Sequence, residues 1–194
     1  MADTKQKSGS NQIVKLALVL FAVAAIMALV LALMNEVTKD TIAERARVKT
    51  ETAYHNVLEA ASYEELDPAS YENDDSMTIT RLSEGRDASG ATVGYVAETT
   101  FSGAQGMVTM VVGLDDELTC TGIYVTEHSE TSGLGAKAAD TSAGAWRDNL
   151  VGQGDGLGLT KNGGSVQAIS GATITSNAVV NEVQTVIDAV KSLG

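Results

Sequence analysis

The sequence predicts an α+β fold: a single N-terminal transmembrane helix followed by an antiparallel sheet domain with packed helices. Three observations carry that expectation. Residues 16–34 read LALVLFAVAAIMALVLALM, without one polar side chain. Four β-branched stretches occupy the middle of the chain, separated by turn-forming residues. The C-terminal stretch repeats apolar residues at the spacing of an amphipathic helix.

At about 1.5 Å rise per residue, the 16–34 run makes roughly 28 Å of helix, close to the hydrocarbon thickness of a bilayer. Ile13 and Val14 extend it past Lys15, which can snorkel to the interface. A soluble core helix of this length would show a polar face. A secretory signal has a shorter apolar region of ~7–15 residues and a small-x-small cleavage site, which is not seen here. No cysteine stands directly after the run to serve a lipoprotein-type anchor. Lys5, Lys7 and Lys15 precede the span against Asp3 alone, whereas Glu36, Lys39 and Asp40 follow it. The positive-inside rule therefore places the short tail in the cytoplasm and the body outside.

Residues 36–61 lack Gly and Pro and are rich in Ala, Glu and Arg, so the helix is expected to continue out of the membrane. The acidic stretch ELDPASYENDD, 65–75, holds the only proline and reads as a loop. Strands are predicted at 77–82 (MTITRL), 91–100 (ATVGYVAETT), 107–114 (MVTMVVGL) and 118–127 (LTCTGIYVTE). DASG at 87–90 and the Asp pair at 115–116 suit tight connections between antiparallel neighbours. A Gly-rich segment, 152–164, precedes a short predicted strand, VQAI, at 166–169. A terminal helix is expected from about Asn177, with Val179, Val183, Val186, Ile187, Val190 and Leu193 on one face. The chain thus divides into a tail (1–12), a span (13–34), a helical connector with an acidic loop (35–76) and a folded domain (77–194).

Composition excludes several chemistries. Thirteen basic side chains against twenty-five acidic ones, with few aromatics, argue against a nucleic-acid binder. The region from residue 36 onward is more acidic still, because Lys5, Lys7 and Lys15 all precede it. Cys120 is the one cysteine, so an internal disulfide, a CxxC pair and a cysteine-rich metal site are ruled out. His55 and His128 lie far apart in the chain and do not suggest a metal cage. Redox or group chemistry would need a borrowed cofactor.

Two segments could carry such a cofactor. SGATITSN, 170–177, joins the VQAI stretch to the terminal helix. Gly171 permits a sharp turn, and Thr175, Ser176 or Asn177 can cap the first free amides. A helix start with hydroxyls and a glycine beside it also suits a phosphate. From the residues alone, a capped helix and an anion site both fit. HSETSGLGAKA, 128–138, follows the fourth strand and crowds a His, a Glu, hydroxyls, glycines and a Lys into one loop. It reads equally as a solvated turn or as a loop that lays backbone against a flat ligand and orients it with Glu130 and Lys137. GDGLGL, 154–159, resembles a dinucleotide fingerprint but has no helix at the required place, and is set aside.

An N-terminal span, an outside α+β body, ETSGLGAK (130–137) and then SGATITS (170–176) before a terminal helix resemble the G subunit of Rnf electron-transport complexes. That family shares its FMN-binding domain with the C subunit of the Na+-translocating NADH:quinone oxidoreductase. The resemblance covers nearly the whole chain. It implies FMN joined through its phosphate to Thr173, the threonine ending SGAT. It also implies installation by a flavin transferase that uses FAD and Mg2+. Ser170, Gly171, Ala172, Ile174 and Thr175 would then surround the attachment point. Gly133 and Gly135 would lie against the ring system, with Glu130, Thr131, Leu134 and Lys137 beside it. This sequence has Gln167 where the family often has an acidic residue, and Ser132 where it often has proline.

The function implied is electron transfer within a complex that passes electrons between ferredoxin and NAD+ while pumping Na+ or H+. Membrane and iron–sulfur proteins of that complex would be its partners, and the plasma membrane of a prokaryote its location. The C subunit of the quinone reductase, or a stand-alone membrane-anchored flavoprotein of extracellular electron transfer or sensing, are the alternatives.

Overall fold

The sheet domain is a five-stranded antiparallel meander with a helix on each face. The computed structural model describes residues 5–72 and 78–193. The first four residues of the expected tail, and Met77 at the start of the expected 77–82 strand, lie outside the described residues. In chain order the elements are α1 (Lys5–Val57), β1 (Ser62–Glu65), β2 (Ile79–Arg86), β3 (Thr92–Ser102), β4 (Met107–Asp115), β5 (Cys120–His128) and α2 (Thr173–Lys191). Contacts divide the chain into two units, Met1–Val48 and Lys49–Gly194.

The first unit is helix alone. Gln12–Lys39 is long and apolar enough to cross a membrane, and none of it is buried by protein. Side chains such as Phe21, Leu20 and Ile13 stand exposed all around it, the condition of a helix whose solvent is lipid. Polar contacts begin where the apolar run ends, with Lys39 paired to Glu36 at 2.6 Å.

In the second unit every neighbouring strand pair is antiparallel and consecutive. The register sets Leu82, Ala97, Val112 and Ile123 side by side across β2 to β5. That row is fully buried against Val179, Val183, Val186 and Ile187 of α2. Burying each such valine or isoleucine contributes roughly 1.5–3 kcal/mol, so the α2 stripe is a main support of the domain. The opposite face is closed by the last turns of α1, where Ala53, Tyr54, Val57 and Leu58 meet Val96 and Val111. Glycine makes that approach possible: a Cβ at Gly113 would come within 2.5 Å of the Val57 carbonyl oxygen. Thr121 donates its hydroxyl to the same carbonyl. Tyr54 donates to Glu98 at 2.9 Å. Burial, and then the Glu98 charge, push its phenol up to about 12.

The turns form as their residues dictate. Asp87 accepts from the Ser89 and Ala91 amides at 2.8 and 3.0 Å, and Gly90 takes φ +85°. Asp115 accepts from the Thr119 amide at 2.7 Å.

Four expectations are corrected. α1 ends at Val57, not at residue 61. The chain then forms β1, an additional edge strand paired to β2 through Ser62 and Arg86; being mostly exposed, it has no apolar alternation to announce it. VQAI is not a strand, since only an isolated bridge joins Leu159 and Val166. α2 begins at Thr173, one turn before Asn177. The polar residues there are not caps, because Thr175 and Ser176 turn their hydroxyls to partners inside the protein.

Candidate functional site

The two candidate segments come together at the start of α2, and a buried carboxylate joins them. Glu130 opens the ETSGLGAK loop just past β5 and is 9% exposed. One of its oxygens accepts the Thr175 hydroxyl at 2.7 Å, and the other accepts the Gln105 amide at 3.0 Å. Its own amide donates to His128 Nδ1 at 3.2 Å. Burial is the largest influence on this carboxyl and pushes it up. The Thr175 hydroxyl, the Gln105 and Ala104 amides and nearby His128 outweigh that, holding it below its ordinary range.

Glycines make room for this carboxylate from two sides. A Cβ at Gly135 would strike it and lie 2.8 Å from the Thr175 hydroxyl oxygen. A Cβ at Gly103 would also strike it and approach Val108 at 2.9 Å. Gly103 belongs to the β3–β4 turn, closed by its amide to the Gly106 carbonyl at 2.8 Å.

The SGATIT segment is fixed from within. Ser176, fully buried, accepts the Ile169 amide and donates to the Ala172 carbonyl, each at 2.9 Å. The Trp146 indole donates to the Gln167 carbonyl at 2.6 Å. Gly171 takes φ +77°, a left-handed conformation that favours glycine. A Cβ there would lie 3.0 Å from the end of Leu134, so the loop and the turn are in contact. Ala172 is the N-cap of α2 and makes no side-chain cap. The first amides of the helix therefore face outward without a capping oxygen, at the positive end of its dipole.

Four hydroxyls stand in this segment, and they divide in two. Those of Thr175 and Ser176 are committed to buried bonds. Among the described residues, no hydrogen bond holds those of exposed Ser170 and half-buried Thr173. Around them Leu134 and Ile174 leave apolar surface exposed, at 41% and 69%. Thr131, Gly133 and Lys137 are exposed on the loop. Lys137 has no carboxylate partner among the described residues and is available to an anion. Gly135 and Ala172 are buried and shape the site from beneath.

The β3–β4 turn is not among the residues the sequence singles out. Its signal is short: Gly103 and Gly106 flank Ala104–Gln105 between two strands, a pattern also met in ordinary hairpins. Ser176 reads from the sequence only as a cap. The Gly-rich segment serves α2, not a nucleotide: Gln184 accepts the Leu157 amide at 2.8 Å and donates to Asp155 at 2.9 Å.

Known proteins fit this geometry. Residues 103–188 match the FMN-binding domain family, from the turn that touches Glu130 to the last turns of α2. Residues 1–57 match the RnfG N-terminal region, the whole of α1. The G subunit of the ion-translocating oxidoreductase complex of Methanosarcina acetivorans is 36% identical over 95% of this chain and 98% of its own length. The G subunit of the Na+-translocating ferredoxin:NAD+ oxidoreductase complex of Acetobacterium woodii is 35% identical over 98% of this chain and 99% of its own. Among solved structures, NqrC of Shewanella oneidensis matches 66% of this chain and 69% of its own, at 21% identity and a TM-score of 0.46. Two family matches divide the chain at its helix and its sheet domain, and its end-to-end relatives share one name. This chain therefore belongs to the RnfG family, the G subunits of ion-translocating oxidoreductase complexes.

Proposed function

We propose that this chain is the membrane-anchored electron-transfer subunit of an Rnf-type ion-translocating oxidoreductase complex, carrying FMN through a phosphoester on Thr173. The division of hydroxyls carries the reading. Of the two left uncommitted, Thr173 is the first residue of α2 and lies directly at the helix dipole's positive end.

The residues present fit FMN. Uncapped amides at the start of α2, with Lys137 on the neighbouring loop, suit a phosphate. Leu134 and Ile174 offer apolar surface to a flat ring, and Gly133 and Gly135 keep the loop backbone bare. When bound, FMN exchanges one or two electrons and so bridges carriers of both kinds. The chain's own groups orient and hold it, and no general acid or base for substrate turnover stands in the site among the described residues. In the loading step the Thr173 oxygen bonds to the flavin-side phosphorus of FAD. The pyrophosphate bond breaks, AMP leaves and the hydroxyl proton goes to a base on the transferase.

The helix at Gln12–Lys39 supplies the anchor. The lysine bias before it supports a cytoplasmic tail and a flavin domain on the outer face of the prokaryotic plasma membrane. Membrane and iron–sulfur proteins of the complex would be the electron partners, as the ferredoxin:NAD+ activity in the name of the Acetobacterium relative suggests.

The test is denaturing electrophoresis of chain coexpressed with a flavin transferase. The band should fluoresce, because only a covalent bond survives unfolding. Thr173→Ala should abolish the signal and Ser170→Ala should keep it. No mass increment on the peptide holding Thr173 would end the covalent reading.

A further inference from the structure

We propose that Glu130 is the positioning residue of the attachment site: its carboxylate fixes the rotation of the first turn of α2 and so presents the Thr173 hydroxyl outward. This rests on the attachment reading above. A buried charge is costly unless its oxygens are bonded, and this fold supplies both partners while clearing space with two glycines. Three separate segments therefore converge on one group: the β3–β4 turn through Gln105, the ETSGLGAK loop through Glu130 itself, and α2 through Thr175.

The consequence for Thr173 follows from helix geometry. A threonine in a helix ordinarily turns its hydroxyl back to a carbonyl of its own preceding turn. Thr175 instead donates across to Glu130 and is 1% exposed, so its side of the helix faces inward. Two residues earlier, at about 100° per residue, Thr173 lies roughly 200° around the axis, on the far side. Ser176 faces inward as well and holds Ile169 and Ala172. With that register fixed, the outward hydroxyl of the first turn belongs to Thr173. If Thr175 lets go of Glu130, the turn is free to rotate and fray, and the hydroxyl loses its fixed direction.

The test measures the rate at which full-length chain in detergent takes up flavin from FAD with purified transferase and Mg2+, normalised to the folded fraction. Glu130→Gln and Thr175→Val should each slow uptake by about tenfold, the scale of losing one charge-assisted hydrogen bond. The double variant should be no slower than the slower single one, since both remove the same contact. Thr175→Ser keeps the hydroxyl and should keep the wild-type rate. After prolonged loading, the reduction potential of attached flavin should rise in Glu130→Gln, which removes a negative charge. It should stay unchanged in Thr175→Val, which removes none. Wild-type rates in both single variants, or Thr175→Ser as slow as Thr175→Val, would refute the positioning role alone. Wild-type chain that takes up no flavin would refute the attachment reading, and this proposal with it.

Discussion

Replacing Ser176 with alanine removes one oxygen from a side chain with no exposed surface. That oxygen accepts the Ile169 amide and donates to the Ala172 carbonyl, both at 2.9 Å. The two losses are unequal. The Ala172 carbonyl keeps the Ser176 amide at 3.0 Å, so it gives up only a second donor, at about 0.5–1 kcal/mol. The Ile169 amide sits in a buried residue and loses its acceptor, which costs about 1–3 kcal/mol. Alanine differs by a single atom, so the cavity left is negligible. A total of about 2–3 kcal/mol should lower the melting temperature of a domain this size by roughly 4–12 °C. Circular dichroism of the detergent-solubilised chain measures it. Ser170→Ala, at an exposed hydroxyl, is the control and should stay within about 2 °C of wild type. If Ser176→Ala also melts within about 2 °C of wild type, the bridge is not what holds the loop, and the division of hydroxyls loses half its basis.

Other outcomes follow from the same contacts. Burial pushes the Cys120 thiol up to about 12, so iodoacetamide at pH 8 should label it only after unfolding, as mass spectrometry would show. Because that shift is upward, the stability it confers is present below the unfolded thiol's value. It should decline as the pH rises past about 9 and the unfolded thiol ionises. Glu130 is held below its ordinary range, so its contribution is present above the unfolded carboxyl value. Acid titration should remove it as the pH falls below about 4, and Glu130→Gln should flatten that limb. Gly135→Ala drives a methyl into the Glu130 carboxylate; it should cost about 1–3 kcal/mol in a denaturant melt and reduce flavin uptake. Protease added to intact protoplasts should digest the region after residue 36 and spare the lysine-bearing tail. Protection of the acidic body would reverse the orientation.

What the sequence disclosed about the fold depended on burial. Strands β2 to β5 pack against α2 or α1, so their apolar residues had to recur, and each is legible within a few residues. β1 rests on β2 through its backbone, with three of its four residues exposed. Backbone pairing leaves no mark on composition, so Ser62–Glu65 offers no strand pattern to find. VQAI misleads in the opposite sense. Val166 and Ile169 are buried as a strand's would be, yet the segment runs alongside the Gly-rich loop and not along the sheet.

The site divides along the same line. Its members are legible as types, because hydroxyls and glycines beside a helix start suit few purposes. Their assignment is not legible, because Thr173, Thr175 and Ser176 are interchangeable as caps until the direction of each side chain is known. Glu130 decides between them from 45 residues earlier in the chain, and no local pattern encodes so distant a partner. The sequence does carry the trace of that decision in Gly103 and Gly135, the two positions where a side chain would displace the carboxylate. Each passes alone for an ordinary turn glycine. Only the folded chain shows that both are small for the sake of one buried charge, and that this charge leaves Thr173 the hydroxyl free at the head of α2.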